Sequence, residues 1–263
     1  MDREGETIAR NVDTNSGRRQ AGLTLLFATG TRPDADAIAA LSAVVGEVVS
    51  FGISHRPADH PYWLELLVLG LTFDLQGLSP GIPATAEPAV HSFAVRLDDL
   101  PGLEVLSVRP GPHLAASGTL LPVVRAMAAL GCELARLPGL VAIGWGAART
   151  VMAPDYYRRT VGAWLNGGVF PGLGLTALVR SPQGVVESEG LALFIGHELR
   201  LEPLAGESPA DAARYALRLI HLLVENGPYL SGPGLGPGGD SLLCDYVDNR
   251  SVLRIKREAK AKP

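Results

Sequence analysis

The chain has 263 residues, of which 47% are apolar and 19% charged, and its formal net charge is −4. That much apolar material builds a core and excludes global disorder, and the length allows one large domain or two small ones. The acidic balance removes the general electrostatic case for nucleic acid as a partner.

Residues 1–20 read as a disordered polar lead. Gly22–Ala28 is a short continuous apolar run, as in a strand buried on both faces. Thr31-Arg32-Pro33-Asp34 then resembles a capping box opening a helix, with Ile38, Leu41 and Val45 on its apolar face and Gly46 as its stop. Val48–Ile53 is a second strand, completing a β–α–β unit. Tyr62–Asp74 is ambiguous between helix and strand, and the Gly/Pro-rich stretch Gly77–Pro88 is a loop. Val90–Leu97 and Leu103–Arg109 read as strands. Leu120–Arg136 reads as a helix with Val123, Val124, Met127, Leu130 and Leu134 on one side, and Leu140–Trp145 as the strand closing a second β–α–β unit.

The remaining chain predicts a helix over Pro154–Asn166, strands at Leu173–Arg180, Val185–Glu187 and Leu199–Glu202, and a helix capped by Ser208. Ala213, Leu217, Ile220 and Val224 form the expected buried stripe of that helix, and Asn226-Gly227-Pro228 ends it. Strands at Leu242–Val247 and Val252–Ile255 follow. The expected class is α+β: a mixed β-sheet with helices, ferredoxin-like over residues 21–139, plus a smaller α/β module over 140–258 and a basic tail over 259–263.

Some chemistry is excluded outright. All three lysines, Lys256, Lys260 and Lys262, lie at the C-terminal end, so the body offers none for a phosphate-binding loop, a kinase strand or a Schiff base. Cys132 and Cys244 are far apart in apolar runs and fit no zinc spacing; they read as small buried hydrophobes in a reducing compartment. The polar N-terminus carries no apolar signal segment. The longest apolar stretch, Leu64–Leu71, is far short of the ~20 residues of a membrane span. A cytoplasmic location without a membrane partner is the expectation.

The candidate sites are weak. His55, Asp59 and His60 share one loop and could ligate a metal or exchange protons, although the flanking Pro57 and Pro61 suit an ordinary exposed turn and no fourth ligand follows from the spacing. His113 and Ser117 lie between a strand end and a helix start, where α/β folds place ligands, but no G-x-S-x-G elbow occurs. Gly232–Gly239 has a G-x-G pattern in the wrong context for a dinucleotide and reads as a loop. Glu187, Glu189, His197, Glu198 and Glu202 form an acidic stretch best taken as a solvated strand edge. Trp145, Tyr156, Tyr157 and Trp164 either pack the core or line a recognition groove. No cofactor and no metal site is expected.

The segments AIGWGAARTVMAPDYY (142–157), WLNGGVFPGLGLTAL (164–178), SEGLALFIGHELRLEP (188–203) and GPGGDSL (236–242) resemble the bacterial domain-of-unknown-function 4261 family in order and spacing. The resemblance covers roughly residues 140–258. It implies a bacterial, cytoplasmic α/β protein and transfers no reaction and no functional residue. The favoured expectation is therefore a non-catalytic binding or protein-interaction domain with an unidentified protein or small-molecule partner. A hydrolase-type enzyme using a His-containing loop, and an immunity or accessory protein neutralising a basic partner, are the alternatives.

Overall fold

Side-chain alternation in the first strand sets the layers of the molecule. In the computed structural model, which describes residues 22–114, 117–229 and 231–257, β1 (Leu23–Phe27) turns Leu23, Leu25 and Phe27 into the main core and Leu26 to the opposite face. The lead over 1–20 and the tail over 259–263 lie outside the described residues.

Helix α1 (Ala35–Ser42) starts later than the capping-box reading, because Asp34 is the residue that caps it, accepting from the Ala37 amide at 2.9 Å. Thr31 instead donates back to the Ala28 carbonyl. The helix stops at Ser42, so Val45 lies beyond it and is 84% exposed rather than on its buried face. β2 (Phe51–His55) leads to β3 (Trp63–Val68) and β4 (Leu71–Gln76), which settle the ambiguous apolar run as a hairpin. Its two turn residues, Leu69 (φ 51°) and Gly70 (φ 78°), are both left-handed, the geometry that a two-residue turn between twisted strands requires.

The expected strand at Val90–Leu97 shrinks to β5 (His91–Phe93), since Ala94 turns left-handed (φ 58°) and a 3₁₀ turn follows at Leu97–Asp99. β6 (Glu104–Pro110), α2 (Leu121–Leu134) and β7 (Leu140–Trp145) match expectation within two residues at most ends. A short β8 (Thr150–Met152) precedes α3 (Pro154–Leu165).

These eight strands form one sheet in the order β2-β3-β4-β6-β1-β7-β8-β5. β1 runs antiparallel between β6 and β7, with α2 connecting those two. The other sequence-level unit is spread out: β3, β4 and β6 lie between β1 and β2. A module boundary after residue 139 would cut this sheet, because β7 is hydrogen-bonded to β1.

The second sheet has the order β12-β13-β14-β11-β10-β9, built from β9 (Ala177–Arg180), β10 (Val186–Glu189), β11 (Glu198–Leu201), β12 (Gly232–Leu235), β13 (Ser241–Val247) and β14 (Val252–Arg257). The glycine-rich run read as loop thus contributes β12, paired with β13. Two helices complete the chain: the one-turn α4 (Ala192–Ile195) and α5 (Pro209–Asn226), capped by Ser208 as expected. Of the expected buried stripe of α5, Ile220 and Val224 are buried and Ala213 and Leu217 only partly so, while Ala212, Tyr215, Ala216, Leu219 and Leu223 complete the buried face.

α2 packs on β4 and β6 and touches α3 and α4, while α5 packs on α4 and β10, so the helices lie between the two sheets. Leu25, Met127, Trp145, Trp164, Phe194, Leu219 and Ile255 belong to one continuous hydrophobic cluster. The α+β fold therefore has a single core shared by both sheets.

Candidate functional site

The opposite face of the first sheet carries the site. Gln76, Ser107, Thr24, Gly144 and Val151 are successive register partners across β4, β6, β1, β7 and β8, and form one row on that face. At one end the face is apolar: Leu26, Ala142 and Val151 are covered by Ala89, Val95, Leu100 and Leu103. Toward Ser107 and Arg109 it is polar. A groove of about 590 Å³ lies along it, lined by Thr24, Leu26, Val105, Ser107 and Arg109 and walled by Thr85–Ala89 and by Leu97, Leu100 and Leu103.

Gly144 keeps this floor open. A Cβ at that position would stand 2.2 Å from the Thr24 hydroxyl oxygen. The wall is a strap of chain between β4 and β6, held at both ends. Arg32, with only 8% of its side chain exposed, donates to Glu104 (3.0 Å) and to the carbonyls of Gly81 (2.8 Å) and Gly77. That hydrogen bond holds the Glu104 carboxyl below its ordinary pKa. Further along, the Ala84 amide donates to the Val105 carbonyl, and β5 pairs in parallel with β8.

Charge gathers at the polar end and rim. Arg109 Nε donates to the Ser107 hydroxyl at 3.3 Å, and Ser107 is 6% exposed. Arg149, left-handed at φ 50°, makes a two-pronged pair with Glu189 at 2.5 and 2.9 Å. His91 Nε2 meets the same carboxylate at 3.1 Å, which ties the far edge of the first sheet to β10. Glu189, and more weakly Glu87 on the groove wall, stabilise the Arg149 cation and raise its pKa.

The sequence-predicted histidines, Asp59 and Ser117 do not line this groove. His55, Asp59 and His60 are exposed; the His55 ring meets Trp63 edge-on at 5.5 Å, and His60 Nδ1 pairs with the Tyr62 hydroxyl at 2.9 Å. His113 is exposed in a 3₁₀ turn after β6, and no hydrogen bond joins it to Ser117 among the described residues. Among the described residues, no group of three or more His, Cys, Asp or Glu side chains could hold a metal ion.

Three of the four aromatic candidates, Trp145, Trp164 and Tyr157, are buried in the core, and Trp145 of these also borders the groove. Trp145 stacks on Phe194 (6.2 Å), Trp164 meets Phe170 edge-on (5.2 Å), and the buried Tyr157 donates to the Ala128 carbonyl (3.2 Å). Tyr156 is half-buried, stacked on Phe93 and bonded to the Leu173 carbonyl. Cys132 is buried, and its thiol is pushed up to about 12, so it stays protonated and unreactive.

The acidic stretch is no simple solvated edge either. Glu198 reaches the start of α4 and accepts from the amides of Gly190 (2.8 Å), Leu191 (3.1 Å) and Ala192 (3.2 Å) and from the Ser188 hydroxyl. Glu187 pairs with Arg200 at 2.6 Å. Glu198 is thus engaged by backbone amides and a hydroxyl, and Glu187 by an arginine.

Sequence reasoning missed Thr24, Ser107, Arg109 and Gly144, which come from three strands and share no local spacing. The available signal was a hydroxyl inside an otherwise apolar strand, Leu23-Thr24-Leu25-Leu26-Phe27. No family model, no curated protein and no solved structure matches the chain.

Proposed function

We propose that this protein is a non-catalytic binding domain whose groove takes a small amphipathic carboxylate. The observation that carries the proposal is the groove itself, which joins an apolar end to hydroxyls and an arginine over a floor left open by Gly144. Its volume of about 590 Å³ falls within the roughly 300–1,000 Å³ of small-molecule sites, which favours a small ligand over a protein partner. No histidine or cysteine lines it, so the Thr24 and Ser107 hydroxyls have no imidazole base beside them, and binding is favoured over hydrolysis. An alkyl body would lie on Leu26, Leu97, Leu100 and Val105, with the carboxylate toward Ser107 and Arg109.

The likeness to the domain-of-unknown-function 4261 family is proposed on motif order alone. A cytoplasmic setting is proposed from two free, buried cysteines. No helix among the described residues is long and apolar enough to cross a membrane.

Calorimetric titration with decanoate and decanol tests the function. Decanoate should bind more tightly than decanol, and Thr24→Leu, which fills the space above Gly144, should weaken decanoate roughly tenfold or more. Equal decanoate affinity in Thr24→Leu, or no binding at all, would overturn the assignment.

A further inference from the structure

We infer that the apolar end of the groove is a stop, built by the turn that carries Leu100 and Leu103, which limits the ligand to an alkyl carboxylate of about ten carbons. The inference rests on the groove being the carboxylate site proposed above. Leu103, Val105, Ser107 and Arg109, alternate residues running into and along β6, all line the groove. β6 therefore runs the length of the site, from its apolar end at Leu103 to its polar end at Arg109.

The turn at the apolar end is held by its own hydrogen bonds. After the 3₁₀ turn at Leu97–Asp99, the Leu100 amide donates to the Leu97 carbonyl and the Leu103 amide to the Leu100 carbonyl, both at 3.2 Å. Gly102, left-handed at φ 84°, sends the chain back toward β6. Its carbonyl accepts from the Thr29 hydroxyl at 3.0 Å, which fastens the turn to the end of β1. Leu100 and Leu103 pack there on Leu26, Ala142 and Val151, so leucine side chains occupy the space into which a longer ligand would extend.

The length follows from the strand. The residues from Val105 to Arg109 cover about 13–14 Å, and an extended alkyl chain advances about 1.3 Å per carbon. A carboxylate held toward Ser107 and Arg109 thus brings the far end of a chain of about ten carbons to Val105 and Leu26, against Leu103. Up to that length each buried methylene tightens binding about fourfold. Beyond it, added methylenes must bend into water or displace packed leucines, and the gain ends.

Calorimetry of the full chain with octanoate, decanoate and tetradecanoate, each kept dilute enough to stay monomeric, tests the limit. Decanoate should bind roughly tenfold more tightly than octanoate, and tetradecanoate no more tightly than decanoate. Leu103→Ala, at a partly buried side chain, removes the stop and should make tetradecanoate the tightest of the three. Should Leu103→Ala fail to fold, Leu100→Ala, partly buried at the same end, should give the same reversal. Affinity that keeps rising to tetradecanoate in the wild-type chain, or an unchanged order of affinities in either folded variant, would overturn the length limit and leave the carboxylate site standing. Failure of decanoate to bind would overturn both.

Discussion

Buried polar groups in this protein mostly hold the chain in place, and His197 shows what one of them costs. It is 4% exposed, its Nε2 has no hydrogen-bond partner, and its ring meets Tyr246 edge-on at 5.1 Å. Burial, with Arg250 nearby, lowers its pKa below 6.5. A depressed histidine pKa means that the fold favours the neutral ring. Its contribution is fully present above about pH 6.5 and is lost as pH falls toward the lower folded value. Thermal melts should therefore show wild type losing more stability between pH 7 and pH 5 than His197→Phe, which keeps the ring contact without the charge. Parallel curves would contradict this. Glu207 and Asp240 titrate lower: the Arg257 guanidinium holds the first carboxyl below 4.5, and the Tyr215 hydroxyl holds the second below 3.8 against the effect of burial, so their losses begin beneath this window. His197 could be picked out in the sequence by its place in an acidic stretch, but its burial could not, because that depends on β11 pairing with β14 and on Tyr246 of β13 meeting the ring.

At the scale of elements, legibility follows punctuation. α5 announces itself by Ser208-Pro209 at one end and Asn226-Gly227-Pro228 at the other, and the structure keeps both limits. The β3–β4 hairpin is ambiguous in the sequence because Leu66–Leu69 runs apolar without a break into its turn, although Leu71–Gln76 alternates apolar and polar residues as a strand does. Its turn places Leu69 at φ 51°, a backbone state that a leucine adopts at a cost and an asparagine tolerates. Leu69 is also 71% exposed, so little packing opposes a change. Leu69→Asn should stabilise the protein by up to about 1 kcal/mol, read as a raised denaturation midpoint. A lowered midpoint would show that the exposed leucine makes a contact worth more than the backbone relief. The same logic explains the groove wall: Gly77–Pro88 reads correctly as loop, but the Arg32 clasp that fastens it depends on tertiary contacts 45 and 49 residues away in the chain.

For the whole molecule, the sequence suggested two modules, whereas the structure has two sheets around one core. Trp145 makes the difference visible: it lies on β7 of the first sheet, is fully buried, and stacks on Phe194 of α4, which packs toward the second. Trp145→Ala should cost roughly 3–5 kcal/mol. It should also lower a single unfolding transition seen alike by circular dichroism and by the fluorescence of Trp63 and Trp164, whereas two separated transitions would mean independently stable modules. The site follows from the same architecture. Each strand of the first sheet has one side committed to the shared core, and the residues left on the other side are what the strap and its groove arrange. That is why no motif points to them: Thr24, Ser107 and Gly144 become neighbours only through β1 pairing with both β6 and β7.

The account rests on that outer-face groove being a ligand site, and the electron density of a decanoate-soaked crystal tests it most directly. The account predicts an alkyl chain against Leu26, Leu97 and Leu100, with its carboxylate within hydrogen-bonding distance of Ser107 or Arg109. Decanoate bound elsewhere, with the groove filled only by ordered water, would contradict it.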